Sequence, residues 1–563
     1  MTEPNETMLY ERIIDNAWAY NTAQALFRET CVLKADKIAI HYKDETITYK
    51  EFQVRVDQLT QALMDMGVGK GDVVGMLPSP TPEHAAVWFA ALQAGAIINP
   101  LNLLWDREAL AAIMKRNKIK VVFTVGQYNK VDYIERLLQC YGETDDNTAV
   151  TCPRPEIVIV SEDTGVVPDE LPTGFVRLSE WQAKPEAINV AAIEERVASV
   201  DWSEIQYICM SSGSTGLPKS GLWNHRSPLS TSHFLAVNLG IKATYRWMNM
   251  SPFFHNSGMT FEILMGLCYA GLETYLDERF DPENAANLIQ DNGIEATFGF
   301  GANVMALHGA KSYNHEKFQV KSFFYAGLPK MWSIVRGLVQ PNTRIMGLYA
   351  QTENGPAVTF HEPGNINEDS RWWNHGRPLG GVEMQIRDVD TGEVLREGEG
   401  GQIWYKSPYL FQGYLQEDGS IELPLDEDGF FASGDYGVMK HGFLTWMERM
   451  GGVVKSGGEN VVLARVTDNM LELFKDDFGA MVAVAVPDDY WGDRVVAVGL
   501  QPKNPGAISD EEFRARCKER LSNYEIPRNL VEFPGPMPWT PEGKQDFKTL
   551  KNFAIENVDT SVR

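Results

Sequence analysis

The sequence predicts an α/β protein: a large N-terminal domain of helix-covered, mainly parallel sheets with a small β-barrel-like subdomain, then a small mobile α+β C-terminal domain. Three observations carry this expectation. Helix and strand patterns alternate early in the chain; residues from about Gly376 to Thr445 are rich in glycine and in short alternating stretches; and the last hundred or so residues change to a separate α+β pattern. At 563 residues the chain is also too long for a single compact core.

Taken in order, Thr48 and Glu51 have capping-box spacing ahead of Phe52, Val56, Leu59 and Leu63, one face of a helix ending near Gly67. Next, "DVVGML" (72–77) reads as a buried strand, Pro82 opens a helix, "GAIINP" is a strand and turn, "REALAAIMKRN" a helix and "KVVFTV" a strand. From about Thr144 to Pro185 the text is rich in Pro, Asp, Glu, Thr and Gly, and reads as a surface excursion. In the glycine-rich region, "EMQIRDVD", "GQIWYKS" and "GFLTWME" suit antiparallel strands with tight turns. Towards the C-terminus "GAMVAVAVPDD", "RVVAVGLQPK" and "NLVEFP" read as strands, and Ser509 with Glu512 caps a helix through Leu521. Adjacent Gly451 and Gly452 free the backbone where two bodies could swivel, so the expected domains are 1–450 and 451–563.

Charge and composition exclude several function classes. A formal net charge of −25 argues against nucleic acid and against an anionic membrane surface. The six cysteines include no C-x-x-C pair and no zinc spacing, as expected of reduced thiols. Neither a basic-then-apolar leader nor an apolar run of about 20 residues is present, so stable membrane insertion is not expected and a cytoplasmic location is.

The stretch Ser211–Gly221, "SSGSTGLPKSG", departs from the phosphate loop G-x-x-x-x-G-K-[ST] at Pro218, which has no N–H to offer a phosphate. What remains is a run of hydroxyls, Ser211, Ser212, Ser214 and Thr215, interleaved with Gly213 and Gly216 and followed by Lys219: a clasp for a polyphosphate. A solvated Ser/Gly linker is the rival reading. It fits poorly between the apolar "YICM" and a lysine-bearing turn.

"YICMSSGSTGLPKSGLWNH" resembles the phosphate-loop signature of the adenylate-forming superfamily, which includes acyl-CoA synthetases and peptide-synthetase adenylation domains. Further stretches follow in the order that family shows, across nearly the whole chain. The resemblance implies that His255, in "PFFHNSG", gates a carboxylate site and that "YAGLP", with Gly327, Leu328 and Pro329, lies beside adenine. In "LYAQTENG" it implies that Tyr349 stacks on adenine, that Ala350 and Gln351 line the nucleotide, that Thr352 touches phosphate and that Glu353 holds Mg²⁺. Asp435 and Arg449 would contact ribose, and Lys544, in "TPEGKQDFKTLK", would be the catalytic lysine. By position, His255, Asn256, Met259, Gly299, Gly301, Tyr325 and Ala326 would line an acyl pocket; Lys455, Ser456, Gly457, Gly458 and Glu459 would line a CoA tunnel; and Gly451–Gly452 would be the hinge.

The activity so implied is ATP-dependent conversion of a carboxylic acid to an acyl-adenylate with release of pyrophosphate, then transfer to the CoA thiol, giving acyl-CoA and AMP. ATP, Mg²⁺ and coenzyme A are the expected cofactors and co-substrates; a small carboxylic acid and a second copy of the chain are the expected partners. A free-standing enzyme loading a carrier-protein thiol and a catalytically idle nucleotide-binding homologue are the alternatives. The sequence departs from the family pattern at Ala350 and Ser220, where glycine is usual, at the uncharged Gly451–Gly452 hinge, and at Leu463, Arg465 and Thr467, where proline and two acidic residues are usual.

Overall fold

The computed structural model describes residues 22–143, 151–211, 217–327, 332–355, 357–361, 374–456, 459–488, 490–539 and 545–559. Two compact units divide the chain: one runs to Glu383 and takes in Lys406–Phe431, the other holds Met384–Tyr405 and everything from Ala432. Among the described residues no helix is long and apolar enough to cross a membrane, and all six cysteines are buried thiols outside any disulfide.

The first unit contains two nine-stranded sheets. In one, the strands Ile205–Ser211, Ile97–Pro100, Val73–Met76, Ile119–Thr124, Ile157–Val160 and Phe175–Arg177 lie side by side and parallel. Their near-continuous apolar runs belong to a sheet covered on both faces. The helices between them start where the sequence caps them. Thr48 Oγ1 accepts from Glu51 N while Glu51 Oε2 accepts from Thr48 N at 2.8 Å, and Asp106 caps Arg107–Arg116.

One expectation fails here. The segment read as a surface excursion supplies two strands of this sheet, Ile157–Val160 and Phe175–Arg177, and Cys152, Val158, Val160 and Phe175 join its core. The apolar run "IVIV" carries that signal; the Pro- and Asp-rich text around it forms the connections.

The other sheet orders Arg344–Ala350, Ser322–Ala326, Ala296–Phe300, Arg246–Asn249, Glu273–Tyr275 and Ile38–Tyr42 in parallel. Alternation along these strands builds a core on each face. Phe298 and Phe324, 4.5 Å apart, pack with Phe261 on one side, while Tyr325 meets Trp332 edge-on on the other. The register pairs Phe300 with Ala326 and Ala326 with Leu348, so the C-terminal ends of three strands finish together. Ligand crevices in such sheets open at that edge.

In the second unit the glycine-rich region forms a four-stranded sheet of Glu383–Arg387, Gly400–Lys406, Phe431–Lys440 and Phe443–Arg449. Two short strands from the same stretch, Gly413–Leu415 and Ile421–Glu422, leave it and extend the sheet of the phosphate-loop candidate instead. The C-terminal part is a five-stranded sheet with helices on it. Ser509 caps its helix as expected, but that helix ends at Cys517; a turn follows, Leu521 N donating to Cys517 O, which seats Leu521 in the core.

Candidate functional site

The described stems of the hydroxyl-rich loop are the antiparallel strands Ile205–Ser211 and Lys219–Asn224, with Ser211 paired to Lys219. Ser212, Gly213, Ser214, Thr215 and Gly216 lie outside the described residues. Strand alternation sends neighbouring side chains to opposite faces. Ser220 is buried; Lys219 is exposed, with its Nζ 4.7 Å from the centre of the Tyr414 ring.

Tyr414 is the residue that sequence reasoning missed. Its hydroxyl donates to Glu353 Oε1 at 2.7 Å, so one ring joins the loop lysine to the carboxylate expected to hold a metal. The register explains how: Gly413–Leu415 adds to the edge of Lys219–Asn224 with Gly221 opposite Tyr414. The only sequence signal is the alternation in "FQGYLQ", which shows a strand and not its partner.

Glu353 sits in a 3₁₀ turn, Thr352–Asn354, immediately after the strand Arg344–Ala350. Backbone and amide bonds hold that turn: Phe411 N donates to Glu353 O at 3.0 Å, Asn256 Nδ2 to Thr352 O at 3.2 Å, and Asn354 Nδ2 to Ala357 O at 2.7 Å. Asn256 is itself buried, accepting from Tyr207 and Thr260 hydroxyls, so its amide is committed to placing the turn. Magnesium binds through one or two carboxylates, with phosphate and water supplying the rest of its shell. A half-buried Glu353 that shares Tyr414 with Lys219 fits that pattern, and no group of three or more metal-ligating side chains occurs among the described residues.

The candidate acyl residues, at and near the convergent strand ends, separate into three kinds. Gly299, Gly301 and Gly327 allow close approach: a Cβ on Gly299 would lie 2.7 Å from Met250 Cε, and one on Gly327 would lie 3.4 Å from Gly301 Cα. Tyr325 and Met259 are packed into the core, and Ala326 is half-buried. His255 keeps solvent access, its Nδ1 2.7 Å from Ser257 Oγ and its ring edge-on to Phe300. Protein crowding pushes its pKa down, so the ring is neutral at pH 7, and its solvent access limits the size of that shift.

The turn after Tyr325 is held by His375, whose Nε2 lies 3.1 Å from Gly327 O and whose pKa is pushed down to about 3, chiefly by burial. Next to it, Gly347 N donates to His361 Nδ1, which leaves the ring proton on Nε2 for Asn374 Oδ1 at 2.9 Å. Both histidines escaped sequence reading, because a lone histidine announces no partner. Tyr349 is buried, its N–H donating to Thr359 Oγ1; Ala350 ends its strand at a bulge, and Gln351 is buried behind it. Leu328 and Pro329 lie outside the described residues.

The second unit holds the other described candidates. Asp435 and Arg449 face each other across an antiparallel pair, Arg449 Nε 3.1 Å from the buried Asp435 Oδ1, while the arginine remains largely exposed. Ser433 Oγ accepts from Asp435 N and donates to Ile403 O, fixing the aspartate's backbone. Lys455 is ion-paired with Asp390, and Ser456 pairs with Glu459 across a hairpin whose tip, Gly457–Gly458, is outside the described residues, as is Lys544. Gly451 and Gly452 lie in a 3₁₀ turn with neither at positive φ; a Cβ on Gly451 would meet nothing within 4 Å, whereas one on Gly452 would lie 2.5 Å from Glu448 Cδ.

With this geometry in place, comparison with known proteins assigns the family. The pattern of the AMP-binding enzyme family matches residues 27–415. The chain belongs to the AMP-binding enzyme family. Relatives of this AMP-binding enzyme include YngI of Bacillus subtilis (strain 168), 23% identical over 552 residues, covering 96% of this chain and 98% of that one. The mitochondrial medium-chain acyl-CoA ligase ACSF2 of Homo sapiens is 23% identical over 531 residues, covering 92% of this chain and 85% of that one. Among solved structures, ATP-bound MatB from Rhodopseudomonas palustris shares the fold with a TM-score of 0.73 at 18% identity, over 95% of this chain and 99% of that one. The expected membership of the adenylate-forming superfamily and the α/β fold are thereby borne out.

Proposed function

We propose that this AMP-binding enzyme is a carboxylate-CoA ligase: it joins a small carboxylic acid to AMP and passes the acyl group to the thiol of CoA. The observation that carries the reading is the Lys219–Tyr414–Glu353 constellation, which sets a cation and a carboxylate on one ring at the stem of the hydroxyl-rich loop. Attack of a carboxylate on the α-phosphate of ATP brings two anions together, so the site must spread cationic charge over the reacting phosphoryl group. Lys219 takes the β- and γ-phosphates, with the loop hydroxyls as donors. Glu353 holds magnesium, which when bound neutralises charge on the departing pyrophosphate. Neutral His255 borders the carboxylate at the strand ends, and Lys544 bridges carboxylate and α-phosphate. Asp435 accepts from the ribose hydroxyls with Arg449 beside it, and Tyr349 borders the adenine.

The second half-reaction is attack of the CoA thiol on the acyl carbon, with AMP leaving. Lys455, Ser456 and Glu459 contribute to the thiol path, and the chain pivots at Gly451, making 1–450 and 451–563 the moving parts. The conformation at Gly451 supports this: nothing in the present turn requires glycine there, so its freedom is useful in another pose.

Carboxylate-dependent exchange of pyrophosphate into ATP, over a panel of acids and repeated with CoA, tests the reading. Exchange with at least one acid and a CoA thioester as product are expected. Exchange without thioester formation would point to a carrier-protein thiol, and no exchange with any acid would remove the proposal.

A further inference from the structure

Ser220, where the family pattern has glycine, is buried against the helix Arg107–Arg116. Its Oγ accepts from Arg116 Nε at 3.0 Å and Nη2 at 2.7 Å, and the same Nη2 donates to Pro218 O at 2.5 Å. On the other side Ser220 Oγ donates to Asn117 Oδ1 at 2.7 Å; Asn117 Nδ2 continues to Asn99 Oδ1 at 2.7 Å, and Asn99 Nδ2 to Ile208 O at 3.0 Å. The chain of bonds therefore starts on the strand that enters the hydroxyl-rich loop and ends on the carbonyl just before Lys219. These bonds lie among buried and half-buried residues, where linked hydrogen bonds hold their members stiffly.

We infer that Arg116 and Ser220 form a clamp that positions Lys219 for the β- and γ-phosphates of ATP. Arg116 and Ser220 are positioning residues: neither touches the nucleotide. The inference rests on Ser211–Lys219 being the phosphate loop. Proline at 218 removes the backbone N–H that would otherwise help to tie this stem, and a glycine at 220 would offer Arg116 no acceptor side chain. Serine supplies one, and the guanidinium reaches from it to the Pro218 carbonyl. Lys219, on the opposite face of the strand, inherits a fixed origin for its long side chain.

Affinity measurements on the full chain separate this role from a general structural one. Mg·ATP and AMP are titrated separately into wild type, Ser220→Gly, Ser220→Ala and Arg116→Ala by calorimetry, with thermal melts alongside. Ser220→Ala keeps the volume and removes only the hydroxyl, so it reports even where the glycine or arginine variant fails to fold. The expected result is Mg·ATP affinity reduced about tenfold, the scale of a lost hydrogen bond to a charged group, with AMP affinity retained because AMP lacks the phosphates that Lys219 contacts. Unchanged Mg·ATP affinity, or equal losses for Mg·ATP and AMP, would overturn the clamp. A wild type that binds no Mg·ATP would instead refute the phosphate-loop reading beneath it.

Discussion

Replacing Tyr414 by phenylalanine isolates one bond in the site. The substitution keeps the ring beside Lys219 and removes only the hydroxyl that donates to Glu353 Oε1 at 2.7 Å. A hydrogen bond to a charged group contributes about 1.5–3 kcal/mol. Glu353 is half-buried, so solvent compensates part of the loss, and about 1.4 kcal/mol is the reasonable figure, or about tenfold in rate. The assay is pyrophosphate exchange at a series of Mg²⁺ concentrations. Tyr414→Phe should need more Mg²⁺ for half-maximal exchange, by about tenfold, because a carboxylate no longer held in one rotamer loses orientation entropy on binding the ion. Tyr414→Leu, which also removes the ring, should in addition raise the KM for ATP. If Tyr414→Phe shows the wild-type Mg²⁺ profile and rate, the link between loop lysine and carboxylate carries no function.

Other consequences concern backbone and charge. Gly376 has φ +88° and a Cβ there would lie 2.1 Å from the Phe360 carbonyl carbon, so Gly376→Ala should destabilise the first unit by more than about 3 kcal/mol, read as a fall in the urea midpoint or as insoluble protein. At the turn, Gly451→Ala should leave the melting temperature within about 2 °C while changing the ratio of adenylation to thioester formation; Gly452→Ala should lower it, because the new methyl meets Glu448. Burial, and then the neighbouring Asp163, push the Glu83 pKa up against the pull of Arg55. The folded chain therefore holds a proton that the unfolded chain releases in the ordinary carboxylate range, and stability should fall as pH rises above that range. Glu83→Gln should flatten that slope in urea titrations at pH 6 to 9; an equally steep slope would show that the proton resides elsewhere.

Much of the fold is legible in the sequence because its determinants are local. Thr48 with Glu51, Asp106 with Ala109 and Ser509 with Glu512 satisfy helix ends within four residues of chain, and the apolar runs of the parallel strands need no partner to be seen. The segment 144–185 departs from its surface-loop composition for the converse reason. Ile157–Val160 is a strand only because Ile119–Thr124 offers it an edge, and its surroundings carry the composition of loops. The helix expected through Leu521 stopped at Cys517 because the core takes Leu521 from a turn.

For the site, the hydroxyl-rich loop with Lys219, and the family it belongs to, could be read from residue types in order along the chain. Which groups meet could not. Tyr414 reaches Glu353 across 61 residues and Arg116 reaches Ser220 across 104, distances at which no periodicity or spacing rule operates. By itself the sequence determined the chemistry available: hydroxyls, a lysine, a carboxylate and a proline that removes one amide. Only the tertiary structure decided that a tyrosine joins the lysine to the carboxylate and that Ser220 serves an arginine, because strand addition and register are properties of the assembled sheet.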